Sequence, residues 1–181
     1  LLYKKANPDD LKNYRPITLL NHALKILTKV ITKRIEPIRE QTLLSCQTGF
    51  CNRVGTRDAI FTFQHHFNII SAKGHDNSET VATFIDFKKA FDSVSHLWIR
   101  TALTEHGVPE KIISLIAQIY QKGTIRIKIR DPKGVDVKSK KINIDSGVLQ
   151  GDILSPTLFI IALDSILRRL PPTSKEKIQV A

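Results

Sequence analysis

The segment from Thr83 to Asp92, with the sequence TFIDFKKAFD, constrains the fold more than any other part of the chain. Val81 to Phe87 is apolar enough to predict a strand that is buried on both faces. Asp86 lies near the end of this strand, although aspartate is depleted in strands. Its carboxylate either caps the turn that follows or stands at the strand end to bind a metal ion.

Apolar residues at helical spacing predict five helices around this strand, which makes the fold class α+β. The predicted helices run from His22 to Glu36, from Thr56 to about Ser71, from Ser93 to His106, from Lys111 to Gln121, and from Ser155 to about Leu170. Pro37 is expected to stop the first helix because it lacks a backbone N–H. Gly107 is expected to end the third helix in a left-handed conformation. Ser155 and Pro156 are expected to be the N-cap and the first residue of the last, mostly buried helix.

The hydrophobic period changes to two between Ile125 and Arg130, where isoleucines alternate with basic residues. Asp131 to Gly134 then predicts a turn, and Val135 to Ile144 predicts the returning strand. The result is an antiparallel hairpin with one basic face, which protects an exposed sheet edge. A polar loop is expected at Lys73 to Ser78, and a further strand is expected to begin at Ile178.

Positive charge is spread along the chain, which has a formal net charge of +11 over 181 residues. The basic residues are interleaved with core-forming apolar residues, so they predict a folded surface rather than a disordered tail. Nucleic acid is the first candidate for the polyanion that such a surface binds. The alternative is a basic domain that has no polyanionic partner.

The sequence carries no sign of secretion or of a membrane span. Its first residues lack the layout of a signal peptide, and its apolar runs are too short to cross a bilayer. Cys46 and Cys51 fit neither a disulfide framework nor a complete zinc site, and they predict free thiols in a reducing compartment. We therefore expect an intracellular protein of the nucleus or the cytoplasm. The absence of methionine favours an internal part of a longer protein.

Four segments, in the same order, resemble the reverse transcriptases of non-LTR (LINE-type) retrotransposons. They are NYRPITLL from Asn13 to Leu20 with the helix after it, QTGF from Gln47 to Phe50 with Arg53, Thr56, Asp58 and Ile60, FIDFKKAFDSV from Phe84 to Val94, and SGVLQGDILSP from Ser146 to Pro156. Together they span nearly the whole chain. Group II intron and bacterial retroelement enzymes share the pattern more loosely.

The resemblance implies a right-hand polymerase, with fingers at residues 1–80 and part of a palm at residues 81–181. An antiparallel palm sheet would pack on helices. This family carries a second pair of carboxylates in a Tyr-x-Asp-Asp turn, which would follow Ala181, and the thumb would come later still. We therefore expect a truncated fragment that lacks both and is inactive by itself.

The resemblance also implies nucleotidyl transfer assisted by two Mg²⁺ ions, with Mn²⁺ as a possible substitute. Asp86 would be the catalytic metal ligand, and the backbone carbonyl of Phe87 would be a further one. Phe91 would lie under the sugar of the incoming nucleotide and exclude a 2′-hydroxyl, whereas without the resemblance it is a core aromatic. Asp92 is expected to cap the helix from Ser93 rather than to bind metal.

The remaining site residues follow from the same resemblance. The nucleotide-binding residues would be Lys4, Lys5, Arg15, Phe91, Gln150 and Gly151, and the template-binding residues would be Gln47, Gly49, Phe50 and Arg53. Arg15 suits bidentate contact with a phosphate, and Gly151 lets backbone come close. The sequence does not decide whether Lys4 or Lys5 reaches the triphosphate.

The predicted function is that of an RNA-directed DNA polymerase, of which this chain is a part. Its partners would be an RNA template, a DNA primer and deoxynucleoside triphosphates. Two other interpretations stay open. One is a catalytically dead remnant that only binds nucleic acid, and the other is a splicing maturase of the same fold that binds RNA.

Overall fold

The computed structural model describes residues 2–3, 7, 10, 13–15, 17–72, 82–130 and 133–170. The helices in these ranges are α1 (His22–Thr42), α2 (Thr56–Ala72), α3 (Ala90–Ser93), α4 (His96–Glu105), α5 (Glu110–Lys122) and α6 (Leu154–Leu167). None of the helices described there is long and apolar enough to cross a bilayer. The loop expected at Lys73 to Ser78 and the strand expected from Ile178 lie outside the described residues.

Helix α6 is the centre of the hydrophobic core. It packs against α1 and α4, and α4 packs in turn against α5. Leu154, Leu158 and Ile161 of α6 are fully buried, as are Ile35 of α1 and Leu103 of α4. Complete burial of such a side chain contributes about 1.5–3 kcal/mol. The predicted burial of the last helix is therefore confirmed.

The sequence predicted that helix α1 would stop before Pro37, but the helix continues to Thr42. The proline leaves the carbonyl of Lys33 without its helical partner, but Lys33 and Pro37 are both exposed to water. On the opposite side, Ile35 is buried in the core and Ile38 packs against it. This packing outweighs the cost of the proline.

The third helix predicted from the sequence begins at His96 rather than at Ser93. Ser95 sets this start, because its hydroxyl accepts a hydrogen bond from the N–H of Trp98 at 3.5 Å. The predicted end is confirmed, because Gly107 has a left-handed φ of +77°.

The N-terminus of α6 also differs from the prediction. The helix begins at Leu154, and Ser155 lies buried inside its first turn instead of capping it. Asp152 Oδ1 accepts the N–H of Leu154 at 3.4 Å, so a carboxylate two residues upstream satisfies a donor of the first turn. The assignment of Ser155 as N-cap and Pro156 as first helical residue was therefore wrong.

The described strands form three two-stranded antiparallel sheets. The strands are β1 (Leu2–Tyr3), β2 (Tyr14–Arg15), β3 (Thr124–Ile125), β4 (Lys128–Arg130), β5 (Asp136–Lys138) and β6 (Ile142–Asn143). β1 pairs with β2, β3 with β6 and β4 with β5. Ile125 lies opposite Ile142, and Ile129 lies opposite Val137. The β4–β5 pair therefore lies between β3 and β6 in the chain, which confirms the predicted hairpin. The helices and the antiparallel sheets together confirm the α+β class.

The strand predicted at Val81 to Phe87 is absent from the described residues 82–87. This stretch is exposed instead of buried, with Phe84 83% and Ile85 76% accessible to solvent. A strand buried on both faces needs neighbours that accept and donate its backbone hydrogen bonds. The described strands pair only among themselves, so none of them borders this stretch.

The buried carboxylate of Asp164, on α6, joins three helices. Its Oδ1 accepts the backbone N–H of Leu44 at 2.8 Å, and its Oδ2 accepts from Arg168 Nε at 2.6 Å. His106 Nε2, just beyond α4, lies 3.3 Å from the same Oδ2. The other ring nitrogen, His106 Nδ1, lies 2.8 Å from Thr42 Oγ1 at the end of α1. Through these contacts α6 holds the ends of α1 and α4.

Replacing Asp164 with alanine is expected to lower the free energy of unfolding by about 3 kcal/mol, because it leaves the buried ring of His106, the backbone N–H of Leu44 and the guanidinium of Arg168 without their carboxylate. Equilibrium unfolding in urea measures this loss. Asp145, which is exposed, provides the matched control: Asp145→Ala should change the free energy by less than about 0.5 kcal/mol. Equal losses in the two variants would contradict the structural role of Asp164.

Burial lowers the pKa of His106 below its ordinary value of 6.5, although the Asp164 carboxylate opposes the shift. The unfolded chain therefore takes up this proton at a higher pH than the folded chain does. We expect the free energy of unfolding to decrease as the pH falls through about 6.5. Urea unfolding at about pH 7.5 and about pH 5.5 measures the dependence.

The His106→Gln variant should lose most of this pH dependence, since glutamine does not titrate. The neighbouring Glu105 does not interfere, because its pKa is lowered from 4.5, mainly by its hydrogen bond from Ser165. It therefore titrates below the pH range over which unfolding is measured. A protein that becomes more stable on acidification from about pH 7 to about pH 5.5 would show that the shift has the opposite sign.

Candidate functional site

The third and fourth of the segments that carry the resemblance are hydrogen-bonded to each other. The N–H of Val148 donates to the carbonyl of Phe91 at 2.7 Å, and the N–H of Gly147 donates to the carbonyl of Val94 at 2.8 Å. His96 Nε2 lies 2.9 Å from the carbonyl oxygen of Gly147. These contacts fix the loop before α6 against α3 and the start of α4.

Gly147 makes this close approach possible. A Cβ atom at this position would lie 2.7 Å from the carbonyl oxygen of Asp92 and 2.8 Å from its Cα. The φ of Gly147 is +79°, a conformation that residues with a side chain rarely adopt. Both observations require glycine, although the sequence pattern pointed only to Gly151.

The side chain of Gln150 reaches Asp92. Gln150 Nε2 donates to Asp92 Oδ1 at 2.9 Å. Asp92 lies inside α3 and does not cap a helix from Ser93, so the predicted capping role was wrong. The reason is that no helix starts at Ser93: α3 ends there, and the next helix begins at His96 with Ser95 as its cap.

The first segment also meets this loop. The N–H of Thr18 donates to the carbonyl of Gln150 at 2.8 Å. Gly151 has a φ of +103°, and a Cβ there would lie 3.1 Å from the carbonyl oxygen of Thr18. The expected close backbone approach at Gly151 is present, and the approaching backbone belongs to Thr18.

Phe91 is held between two aromatic rings. It stacks on Phe159 of α6 with the ring centroids 5.0 Å apart, and it makes an edge-to-face pair with Phe50 with the centroids 6.3 Å apart. The ring of Phe91 is half-buried against the core. It therefore has the packing of a core aromatic together with a partly accessible surface.

Asp86 stands apart from these contacts. It is exposed and makes no hydrogen bond or ion pair with any residue that the structure describes. The next residue, Phe87, lines an apolar cavity of about 240 Å³ together with Trp98 and Phe159. Within the described ranges, no group of three His, Cys, Asp or Glu side chains could hold a metal ion. Asp86 thus supplies an exposed carboxylate, and the described residues supply no complete metal site.

The four template-binding candidates share one loop after α1. Gln47 is buried, and its Nε2 donates to the carbonyl of Gly49 at 3.3 Å. Phe50 and Arg53 have φ values of +54° and +67°, which are uncommon for residues other than glycine. Phe50 joins this loop to the ring of Phe91, while Arg53 is exposed.

The triphosphate candidates are only partly described. The backbone of Arg15 lies in β2, opposite Leu2. Lys4 and Lys5 lie outside the described residues. The roles of these three residues stay predictions.

Phe50 contacts Phe91 directly. The side chain of Gln150 is linked to the same region through its hydrogen bond to Asp92, the residue after Phe91, and Gly151 follows Gln150 in the chain. Sequence reasoning missed the residues that hold them in place, which are Thr18, Asp92, Gly147, His96 and Phe159. Only Gly147 left a signal, as a second glycine in SGVLQG. The arrangement brings the Gln150 amide to Asp92, the residue after the aromatic Phe91, which suits a ligand with hydrogen-bonding groups and a ring.

The chain is similar to known proteins along nearly all its length. The family model described as "Reverse transcriptase (RNA-dependent DNA polymerase)" matches residues 3–180. A retrovirus-related Pol polyprotein from type-1 retrotransposable element R2 of Popillia japonica is 31% identical over 173 residues, which is 96% of this chain and 23% of that protein. An R2 polyprotein of Nasonia vitripennis is 30% identical over 94% of this chain and 16% of its own length.

A more distant relative is the RNA-directed DNA polymerase from the mobile element jockey of Drosophila melanogaster. It is 25% identical over 173 residues, which is 94% of this chain and 18% of that protein. The chain thus spans less than a quarter of the length of these non-LTR retrotransposon proteins. Because the family model covers almost every residue, the chain belongs to the reverse transcriptase (RNA-dependent DNA polymerase) family.

Proposed function

We propose that this chain forms the nucleotide- and template-binding part of an RNA-directed DNA polymerase of a non-LTR retrotransposon. The fingers would be residues 1–80 and the palm would begin at residue 81. The observation that carries the proposal is the convergence at Gln150, whose side chain holds Asp92 and whose carbonyl holds Thr18. Three of the four segments that resemble the family therefore meet at one residue.

The incoming deoxynucleotide would bind at Gln150 and Phe91. The hydrogen bond from Gln150 Nε2 to Asp92 fixes the orientation of the amide, so Oε1 is left to accept from the nucleotide. Phe91 would lie under the sugar and exclude a 2′-hydroxyl. Its contacts with Phe50 and Phe159 support this role, because a ring held on two sides cannot turn away from the sugar.

Asp86 would be a ligand of Mg²⁺, together with the backbone carbonyl of Phe87. An exposed carboxylate without a protein partner suits a hard divalent cation. When bound, such ions neutralise charge on the transferring phosphate and activate the attacking hydroxyl. The described residues complete no group of three ligands, so further carboxylates must contribute in an active polymerase.

The nucleic-acid partners would be an RNA template and a DNA primer. The formal net charge of +11 supports binding to phosphate backbones. Gln47, Gly49, Phe50 and Arg53 would follow the template strand, and Lys4, Lys5 and Arg15 would bind the triphosphate. The contact of Phe50 with Phe91 supports a template path that leads to the nucleotide.

A second candidate function is nucleic-acid binding without catalysis. Asp86 is the only side chain among the proposed metal ligands. The described residues contain no group of three His, Cys, Asp or Glu side chains that could hold a metal ion, and this observation favours the second candidate. Both candidates predict binding of RNA and DNA. Only the first predicts that Asp86 matters for a reaction.

The protein is expected to bind RNA and DNA with strong salt dependence and little sequence preference. Each neutralised phosphate should add about −0.7 to −0.9 to the slope of log K against log salt concentration. Fluorescence anisotropy across a salt series, with two oligonucleotides of unrelated sequence, measures both properties. A flat salt response would contradict a phosphate-driven interface.

A polypeptide of residues 1–181 is expected to bind nucleic acid without extending a primer, because Asp86 alone cannot hold two metal ions. In a protein that also carries the second carboxylate pair and the thumb, Asp86→Ala should reduce primer extension at least about a hundredfold. Its affinity for template and primer should change little, because the substitution removes no phosphate contact. Robust extension by Asp86→Ala would show that the metal site is misplaced.

Phe91→Ala in the same active protein provides the matched comparison. It should keep polymerase activity and admit ribonucleotides, because it removes a steric block and leaves the metal ligands intact. The ratio of ribonucleotide to deoxynucleotide incorporation is the measurement, since this ratio does not depend on the amount of folded enzyme. An unchanged ratio would mean that Phe91 is only a core aromatic.

A further inference from the structure

A second cavity opens between the end of α1 and the loop that follows it. Its volume is about 520 Å³, and polar side chains dominate its wall. They belong to Arg39, Glu40, Ser45, Gln47, Asn52 and Arg53. The cavity therefore shares Gln47 and Arg53 with the template-binding candidates, while the other residues have no role in the site described above.

Arg39 is the unusual residue in this wall. It is only 5% exposed, and no described residue accepts a hydrogen bond from its guanidinium group. Its Nε is completely buried without a partner, and its ion pair with Glu36 Oε1 spans 3.9 Å. A buried guanidinium without hydrogen bonds is unfavourable. It is the expected arrangement where an anionic ligand supplies the missing acceptors.

Two carboxylates lie near the cavity, that of Glu40 in its wall and that of Glu36 beside Arg39. Asn52 Nδ2 donates to Glu36 Oε1 at 2.7 Å and to Glu40 Oε1 at 2.8 Å. One amide group thus holds both carboxylates. Burial raises the pKa of the Cys51 thiol from 9.0, so Cys51 stays neutral at pH 7 and adds no negative charge. Arg39 and Arg53 remain as the cations that can bind an anion in this cavity.

The loop itself is held in a strained backbone conformation. Phe50 and Arg53 both have positive φ values, of +54° and +67°. Non-glycine residues in this region cluster at ligand-binding sites, where strain is retained for function. Phe50 contacts Phe91, so a strand leaving the nucleotide site past Phe50 would pass this cavity.

We propose that this cavity binds a backbone phosphate of a nucleic-acid strand, with Arg39 as its anchor. The guanidinium fork of Arg39 would bind two phosphate oxygens, and Arg53 would add a second positive charge at the rim. The proposal rests on the proposed function, because it takes the bound polyanion to be nucleic acid. It adds a binding residue on α1, outside the loop that resembles the template-binding segment.

The test compares Arg39→Met with Arg34→Met. Both variants remove one arginine from α1, but Arg34 is exposed and lines no part of the cavity. Fluorescence anisotropy with a single-stranded oligonucleotide should show about tenfold weaker binding for Arg39→Met. The slope of log K against log salt concentration should become less steep by about 0.7. Arg34→Met should weaken binding less than twofold.

Thermal unfolding without ligand separates a binding arginine from a structural one. Methionine keeps most of the apolar packing and removes an unpaired buried charge, so Arg39→Met should melt at the same temperature as the wild type or higher. A lower melting temperature, or failure to fold, would show that Arg39 is structural and would overturn the proposal. Arg53→Gln, at an exposed position, should weaken oligonucleotide binding without changing the melting temperature.

Inorganic phosphate distinguishes the source of the phosphate group. If phosphate stabilises the wild type but not Arg39→Met while both bind the oligonucleotide equally, the cavity takes a free phosphate and the strand assignment is wrong. If wild type and Arg39→Met bind the oligonucleotide equally and phosphate stabilises neither, the cavity is no phosphate site. In both cases the proposed function survives, because neither outcome removes the binding of nucleic acid by the wild type.

Discussion

The close approach of Gly147 to the backbone of Asp92 is the contact on which the candidate site depends. A side chain at position 147 would overlap Asp92, so only glycine lets the two segments meet. Once they meet, the backbone of Val148 pairs with that of Phe91, and the amide of Gln150 reaches the Asp92 carboxylate. A single short contact between backbones thus determines where both the aromatic face and the amide of the site lie.

The scaffold behind this contact is stabilised in a different way. Helix α6 is buried along most of its length, and Asp164 uses its carboxylate to hold the ends of α1 and α4. Every contact of Asp164 lies within the fold, so this buried charge serves structure. Asp86 is the opposite case, since its exposed carboxylate makes no contact with a described residue and is free for a ligand. Burial and hydrogen bonding therefore distinguish the two carboxylates: that of Asp164 is satisfied within the protein, and that of Asp86 is exposed.

The same comparison applies to the positive charges. Arg168 reaches the Asp164 carboxylate and is satisfied inside the protein. Arg39 is more deeply buried but has no hydrogen-bond acceptor among the described residues. A protein gains nothing from burying a guanidinium that no group satisfies. The proposed phosphate contact would supply the acceptors that Arg39 lacks among the described residues.

Four sequence segments that resemble the family were enough to indicate it. The sequence also determined the α+β class, the hairpin and the position of most helices, because apolar periodicity and local turn residues are properties of neighbours in the chain. It also predicted Gln150 and Phe91 as nucleotide-binding residues, and that role stays a prediction. It did not determine that α1 passes Pro37, that residues 82–87 lack strand partners, or that Asp92 binds Gln150 instead of capping a helix. Those outcomes depend on which distant group comes within hydrogen-bonding reach, and only the tertiary structure decides that.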